Sequence, residues 1–330
     1  SPQQSHMSQI ARHYNSRASQ SLDERNRSPI IHLRNFNNWI KSVLLNKYLK
    51  QGFVVLDVCA GKGGDLKKFL KGRIDHLVLA DIAEKSVETA VERYNLLNKG
   101  RPPFSANFVI ADCCKTSFEK ALMDLNVKFD VVSCQFALHY AFETEERCRT
   151  FLSNVTSSLR PGGMFLGTTP NANWIVKKLR SVDGLSFGND VYKVTFEEKF
   201  ASKDSSLFTP FGCKYQFYLH GAVDAPEYLV HFPTLVRLAK EYGLELVAKP
   251  TFHEFYKTNV SNPQHKTLMR RMKVLNAAGT MPENNWEVAG FYLVFVFYKI
   301  GDAGRTNTRQ YDYDRYFAKV PKSDIITVTD

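Results

Sequence analysis

The chain has 330 residues, 44% of them apolar and 13% aromatic, which is enough to fill a real core and excludes a disordered polymer. A formal net charge of +11 and a pI near 9.2 favour partners that carry phosphate, although the same excess would suit an anionic membrane surface. No apolar stretch approaches the roughly 20 residues of a membrane helix and the start is polar, so a soluble protein is expected.

Residues 1–27 are rich in Ser, Gln, Arg and Asn with few apolar anchors, and read as a flexible basic arm whose opening SPQQSHM looks like an expression remnant. Ser28-Pro29 then reads as an N-cap followed by proline at the first helical position. Ile30, Leu33, Phe36, Ile40, Val43 and Leu44 recur on one face of the helix that follows. From Phe53 the period changes. The runs FVVLDV, HLVLADI, ANFVIAD, FDVVSCQ and MFLGTTP alternate with helical segments near 65–71, 84–98, 116–125 and 143–159, which predicts a parallel sheet covered by helices on both faces. In such sheets ligands bind beyond the carboxyl ends of the strands, where the strand order reverses. After Pro170 come a helical WIVKKL, strand-like DVYKVTF and KYQFYLH, a helix through 234–242, a strand ELVAKP and a final buried strand in FYLVFVFYKI. Residues 301–330 turn polar and Tyr-rich and predict a tail that is mobile or docks weakly. The six cysteines (Cys59, Cys113, Cys114, Cys134, Cys148 and Cys213) show no C-x-x-C pair and no Cys/His metal spacing. Most lie in apolar surroundings, which predicts reduced, buried thiols in an intracellular protein without structural zinc.

The first strand ends in LDVCAGKGGDL, a glycine-rich loop opening onto a helix, where glycines permit tight turns and close approach of backbone to a ligand. A strand-to-helix turn without any ligand would use the same residues. The second strand ends in Asp81, about 20 residues beyond the glycines, where a carboxylate can accept both ribose hydroxyls of an adenosine. Dinucleotides and S-adenosylmethionine share that need. The third strand ends in Ala111-Asp112, giving an acid near the tips of the first three strands: Asp57, Asp81 and Asp112. A dehydrogenase has no obvious use for the third, whereas the amine of adenine can donate to it. Gly61, Gly63 and Gly64, followed by Asp65, also depart from the dinucleotide G-x-G-x-x-G spacing. These features favour a methyltransferase over a dehydrogenase, with a helix N-cap or a surface role still open for each acid.

The blocks HYN, SPIIHLRNFNNWIKSVLL, LDVCAGKGGDLKKF, LADIAEKSV, SCQFALHYAFETEE, LRPGGMFLGTTPN, SFGNDVYKVTF, DAPEYLVHF and GFYLVFVFYK together resemble the eukaryotic mRNA cap guanine-N7 methyltransferases. They spread over residues 13–299, and several lie outside the core that methyltransferases in general share. The resemblance implies an α/β, Rossmann-like class I fold over 28–300, with a mostly parallel seven-stranded sheet, helices on both faces and a cap-binding insertion after strand five at about 183–232. It implies that Lys41, Gly61, Asp81, Asp112, Gln135 and Tyr140 line the S-adenosylmethionine pocket. Asn37, Asn38, Lys62, Lys68, Arg93, His139, Glu227 and Tyr292 would hold the cap, and His139, Tyr140, Glu227 and Tyr292 would position the reactants. Where the family usually places glycine first in the loop, this chain has Cys59 followed by Ala60. A residue with a Cβ there is expected to avoid φ above zero, which makes Gly61 the safer cofactor contact. The chain runs from MKVLNAAG to the last strand through a short segment, so a larger lobe at that point is expected to be missing.

Methylation at guanine N7 moves no proton, because that nitrogen carries none; the protein then supplies alignment and electrostatics, with no general base and no metal. No Ser/His/Asp or Cys/His nucleophilic set is evident. Glu227 can accept from N1–H and N2–H₂ of guanine, while Lys62, Lys68 and Arg93 can meet phosphate or ribose oxygens. Read singly, each lysine is equally a solvated charge, Glu227 a surface ion pair, and His139, Tyr140 and Tyr292 core side chains with satisfied tips. The basic segment 12–50 is expected to follow RNA phosphates without reading bases. The resemblance further implies a monomer acting in the nucleus on 5′-capped RNA, beside other capping enzymes and RNA polymerase II, with no membrane contact. Two other readings stay open: a methyltransferase for a different acceptor, and a basic RNA-binding module on an inactive fold.

Overall fold

A computed structural model of the chain describes residues 12, 15–16, 22–301 and 316–328. A long helix, α1 (Ile31–Tyr48), precedes the alternating region β1 (Val54–Val58), α2 (Leu66–Gly72), β2 (His76–Asp81), α3 (Glu84–Asn95), β3 (Ser105–Ile110), α4 (Glu119–Asp124), β4 (Phe129–Gln135), α5 (Glu145–Thr156) and β5 (Leu159–Pro170). After α6 (Ala172–Arg180) comes an antiparallel sheet of β6 (Ser186–Gly188), β7 (Tyr192–Phe196), β8 (Lys214–Leu219) and β9 (Val223–Tyr228). The chain then returns through α7 (Phe232–Glu241), β10 (Leu244–Ala248), α8 (Phe252–Asn259), α9 (Pro263–Arg271), α10 (Glu283–Ala289), β11 (Tyr292–Lys299) and β12 (Ile326–Thr327).

The main sheet runs β10-β11-β5-β4-β1-β2-β3-β12, parallel except where β11 meets β5 and β10. Strand alternation divides its side chains between two cores. Val55, Leu77, Leu79, Val294 and Val296 join the core that also holds buried residues of α1, α2 and α3. Leu56, Val78, Ala80, Phe295 and Phe297 join the core of α5 and α7 on the opposite face. The strand order reverses between β1 and β4, which opens a crevice at their carboxyl ends.

The sheet has eight strands rather than the expected seven. The extra one is β12, from the polar tail: Ile326 and Thr327 pair in parallel with Val109 and Ile110, and the Val328 N–H donates to the Ile110 carbonyl at 2.9 Å. Upstream, Asn95 exchanges two hydrogen bonds with the backbone of Val320, each 2.8 Å. This docking is a backbone match to an open sheet edge, which polar composition does not disclose. At the other terminus Leu22–Asn26 forms a short helix within the segment read as a flexible arm; residues 1–11, 13–14 and 17–21 lie outside the described residues. Helix α1 begins at Ile31 rather than Pro29, because the Ile31 N–H donates to the Ser28 carbonyl at 3.0 Å and closes a turn ahead of it.

Helices α8, α9 and α10 were not evident in the sequence. They run only seven to nine residues, too short for a clear period, although Thr251 with Glu254 forms a capping box and Asn262-Pro263 a capped start. Their role is to hold α1. Phe36 of α1 packs on Phe252 and Trp286, and Leu33 N–H donates to Asn285 Oδ1 at 3.0 Å.

Candidate active site

The tips of the parallel strands enclose a cavity of about 250 Å³ whose wall includes Gly61, Asp81, Asp112, Gln135 and Tyr140. Asp81 Oδ2 accepts from Gly61 N–H at 2.7 Å and Oδ1 from Ala83 N–H at 2.8 Å, so one carboxylate fastens the glycine loop to the start of α3. Burial pushes this carboxyl up, and the backbone donors pull it part of the way back. Asp112 accepts from Cys114 N–H at 3.0 Å and lies 3.1 Å from the Arg147 guanidinium of α5. The Gln135 amide is fixed at both ends, donating to Ser133 Oγ at 3.2 Å and accepting from Thr168 Oγ1 at 3.0 Å.

Two non-glycine residues on this wall have left-handed backbone, Cys59 at φ 54° and Phe136 at φ 59°. The expectation that a residue with a Cβ would avoid positive φ at Cys59 is therefore wrong. The turn is held by the Ala60 N–H donating to the Ala80 carbonyl at 3.1 Å, and such a conformation costs roughly 1–2 kcal/mol that the surrounding structure must offset. Gly61, at φ 55°, has open space where a Cβ would be, which leaves its backbone accessible.

Lys41 is the predicted cofactor residue that does not line the cavity. Its Nζ lies 2.8 Å from Asp65 Oδ1 and 6.0 Å from the centre of the Phe136 ring. Lys68 Nζ reaches the same carboxylate oxygen at 2.6 Å and donates to Asn38 Oδ1 at 3.2 Å. Burial by itself would raise the Asp65 carboxyl, but Lys41 and then Lys68 outweigh it and hold it down at about 2. Asp57, on β1, goes the other way: burial, reinforced by the negative Asp65, pushes it up to about 8. Asn37 has its side-chain oxygen buried without a hydrogen-bond partner. Lys62 and Arg93 are brought together, the Arg93 guanidinium donating to the Lys62 carbonyl at 2.9 Å.

A third group lies where the antiparallel sheet meets the segment after β4. Glu227 of β9 is 4% exposed; its Oε2 accepts from Tyr215 O–H at 2.8 Å, and its Oε1 stands 3.4 Å from His139 Nε2. His139 is 2% exposed, and neither ring nitrogen has a hydrogen bond of good geometry. Its ring lies against that of Tyr140 on the cavity wall, with centres 4.1 Å apart. Tyr292 meets Phe136 edge to face at 5.0 Å. The residues predicted singly for cofactor and cap thus adjoin through Tyr140 and Phe136.

Sequence reasoning missed Phe136, Asp65, Arg147 and Tyr215. Phe136 follows Gln135 directly, and Asp65 ends the glycine loop, so both were within reach of a wider reading of those motifs. Arg147 and Tyr215 carried no local signal: Tyr215 is the register partner of Glu227 across β8 and β9, and Arg147 meets Asp112 only through the fold.

Residues 1–300 match the mRNA (guanine-N(7))-methyltransferase domain. The chain belongs to that family. The mRNA cap guanine-N(7) methyltransferase 1 of Oryza sativa subsp. japonica is 45% identical, over 91% of this chain and 84% of its own length. The mRNA cap guanine-N(7) methyltransferase of Schizosaccharomyces pombe is 42% identical over 88% and 82%, and that of Drosophila melanogaster 37% over 90% and 78%. Among solved structures, a methyltransferase from Streptomyces caelestis covers 80% of this chain and 95% of its own with a TM-score of 0.50 at 15% identity, a likeness of fold alone. The architecture is the Rossmann-like class I methyltransferase fold, and S-adenosylmethionine is the family's cofactor. Among the described residues, no cluster of three or more His, Cys, Asp or Glu side chains is suited to a metal ion, and no helix is long and apolar enough to cross a membrane.

Proposed function

We propose that this chain methylates N7 of the cap guanine of GpppN-ended RNA, with S-adenosylmethionine in the cavity at the tips of β1 to β4 and the guanine against His139, Glu227 and Tyr292. The observation that carries this is the pair His139 and Glu227, almost fully buried and facing each other without a hydrogen bond between them. An unsatisfied buried polar group costs about 1–3 kcal/mol, and a guanine edge removes that cost by donating N1–H and N2–H₂ to Glu227 and accepting at O6 from the imidazole.

The donor set also suits the cofactor. An ionised carboxylate has about four acceptor positions, so Asp81, with one backbone N–H on each oxygen, keeps room for two ribose hydroxyls. Asp112 and Gln135 are the polar groups for the base between the apolar Ile82, Phe136 and Ala137. Bound there, S-adenosylmethionine supplies a methyl group activated on a sulfonium. The side chains align and shield; none has to take a proton, since N7 carries none. Lys62, Lys68 and Arg93 belong in this reading to the triphosphate side. Lys41, fastened to Asp65 together with Lys68, supports both sites from α1. Nuclear location, a monomeric state and association with other capping enzymes and RNA polymerase II are parts of the same proposal.

The test is incubation with labelled S-adenosylmethionine and GpppG-capped, GpppA-capped or uncapped RNA. Both capped RNAs should be labelled, and digestion should release the label as 7-methylguanosine. Equal labelling of uncapped RNA would refute the assignment.

A further inference from the structure

Four of the six cysteines gather at the cofactor cavity, although the sequence scatters them. Cys59 follows β1, Cys113 and Cys114 follow β3, and Cys134 lies on β4. Cys59, Cys113 and Cys114 form part of the cavity wall. The Sγ atoms of Cys59 and Cys113 are 2.7 Å apart, and those of Cys113 and Cys114 are 4.0 Å apart. All are free thiols; Cys59 is half-buried and Cys113 is 6% exposed. Hydrogen bonding to Cys113 draws the Cys59 thiol down, but its bond to Cys134 and burial raise it further, so the resting state is the protonated dithiol. Methyl transfer uses none of these sulfurs.

We propose that Cys59 and Cys113 form a reversible disulfide in this wall by exchange with a low-molecular-weight disulfide, and that the oxidised protein no longer takes up its cofactor. The inference rests on the assignment of the cavity to the cofactor. The two sulfurs are closer than those of Cys113 and Cys114 and need only a small approach to reach the ~2.05 Å bond, whereas the sequence neighbours Cys113 and Cys114 would close a strained ring. Cys59, the more exposed, attacks first: its thiolate bonds to one sulfur of the small disulfide, and the other sulfur leaves and takes up the proton Cys59 lost. Cys113 then releases its proton and attacks Cys59 Sγ, expelling the second small thiolate, which is protonated. Two protein thiols are oxidised by two electrons, and the small disulfide is reduced to two thiols.

The effect on binding follows from where Cys59 sits. It lies in the left-handed turn two residues before Gly61, whose N–H is aimed at Asp81. Bonding Cys59 to Cys113 fastens that turn covalently to the loop that carries Asp112, so the glycine loop can no longer adjust around an incoming cofactor. A bound cofactor, conversely, covers both sulfurs.

The full chain is incubated with oxidised glutathione, unreacted thiols are blocked with iodoacetamide, and non-reduced digests are read by mass spectrometry; S-adenosylhomocysteine affinity is measured by calorimetry. Expected are a linked Cys59–Cys113 peptide pair, at least a tenfold loss of affinity, and recovery with dithiothreitol. A Cys59→Ala chain, compared with its own untreated affinity, should be unaffected by the same treatment. Absence of the Cys59–Cys113 link, a link with unchanged affinity, or an equal loss in Cys59→Ala overturns the switch. Saturating S-adenosylhomocysteine should slow linkage at least tenfold. Linkage at one rate with and without it overturns instead the placement of the cofactor in this cavity.

Discussion

Asp81 accepts from the backbone of Gly61 and Ala83, so replacing it removes loop anchors as well as ribose acceptors. Asp81→Ala is expected to weaken S-adenosylhomocysteine binding sharply, each lost bond to a charged acceptor being worth about 1.5–3 kcal/mol, and to lower the unfolding midpoint as well. Asp81→Asn keeps one acceptor and should recover part of both. An unchanged dissociation constant in calorimetry would remove Asp81 from the ribose. Glu227 allows a test of the other substrate, because Tyr215 occupies Oε2 and leaves Oε1 for the guanine edge. An inosine cap lacks the N2 amine and should be methylated about tenfold or more less efficiently than a guanosine cap, the loss of one hydrogen bond to a charged group. Glu227→Ala should erase that preference in competition assays. If wild type treats the two caps alike, Glu227 does not read N2.

Strand β12 closes one edge of the main sheet, where β3 would otherwise present unpaired backbone. Asn95, at the end of α3, fixes the approach of the tail by exchanging two hydrogen bonds with Val320, and Lys322 adds ion pairs to Glu88 and Glu92 of the same helix. These ion pairs are exposed and contribute little, so the backbone contacts carry the docking. Asn95→Ala is expected to lower stability by about 1–3 kcal/mol in urea unfolding, from two lost hydrogen bonds. In a chain truncated after residue 315 the same substitution should be nearly neutral; an equal loss in both would mean that Asn95 acts within α3 alone. The main strands were legible because β-branched runs and turn residues are local signals. The tail strand was not, since two residues gain their conformation only from the edge they meet.

The buried charges set how the whole molecule responds to pH. Asp57, pushed up to about 8, holds a proton in the folded state from the ordinary carboxylate range near 4 upward, where the unfolded chain has already released it. Stability from this group is therefore full at low pH and is lost as pH rises through about 8. Asp65 is opposite in sign: held down at about 2, it stabilises above the ordinary range and loses that contribution as pH falls toward 2. Thermal unfolding of wild type and Asp57→Asn between about pH 5 and about 8 separates the two groups, since Asp65 titrates in neither protein there. The variant should gain on wild type as pH rises. A difference constant with pH would show that Asp57 does not titrate in this window.

Periodicity, turn chemistry and family blocks act over a few residues, so the sequence alone determined the alternating layers, the glycine loop, the acids at the strand tips and the family. The family resemblance also named Gly61, Asp81, Asp112, Gln135 and Tyr140 for one pocket, and the structure brings all five to one cavity wall at the carboxyl edge of the sheet. What only the tertiary structure decided is who pairs with whom in a low dielectric. Lys41 and Asp65 are 24 residues apart and Asn95 and Val320 are 225 apart, and no local pattern links either pair. The same holds for Cys59 and Cys113, which read as isolated buried thiols until the loops after β1 and β3, on either side of β2, met at the strand tips. Burial and partner set the charge on Asp57 and Asp65, the backbone strain at Cys59 and Phe136, and the buried His139 ring nitrogens left without a hydrogen bond beside Glu227, and each is a property of the packed chain.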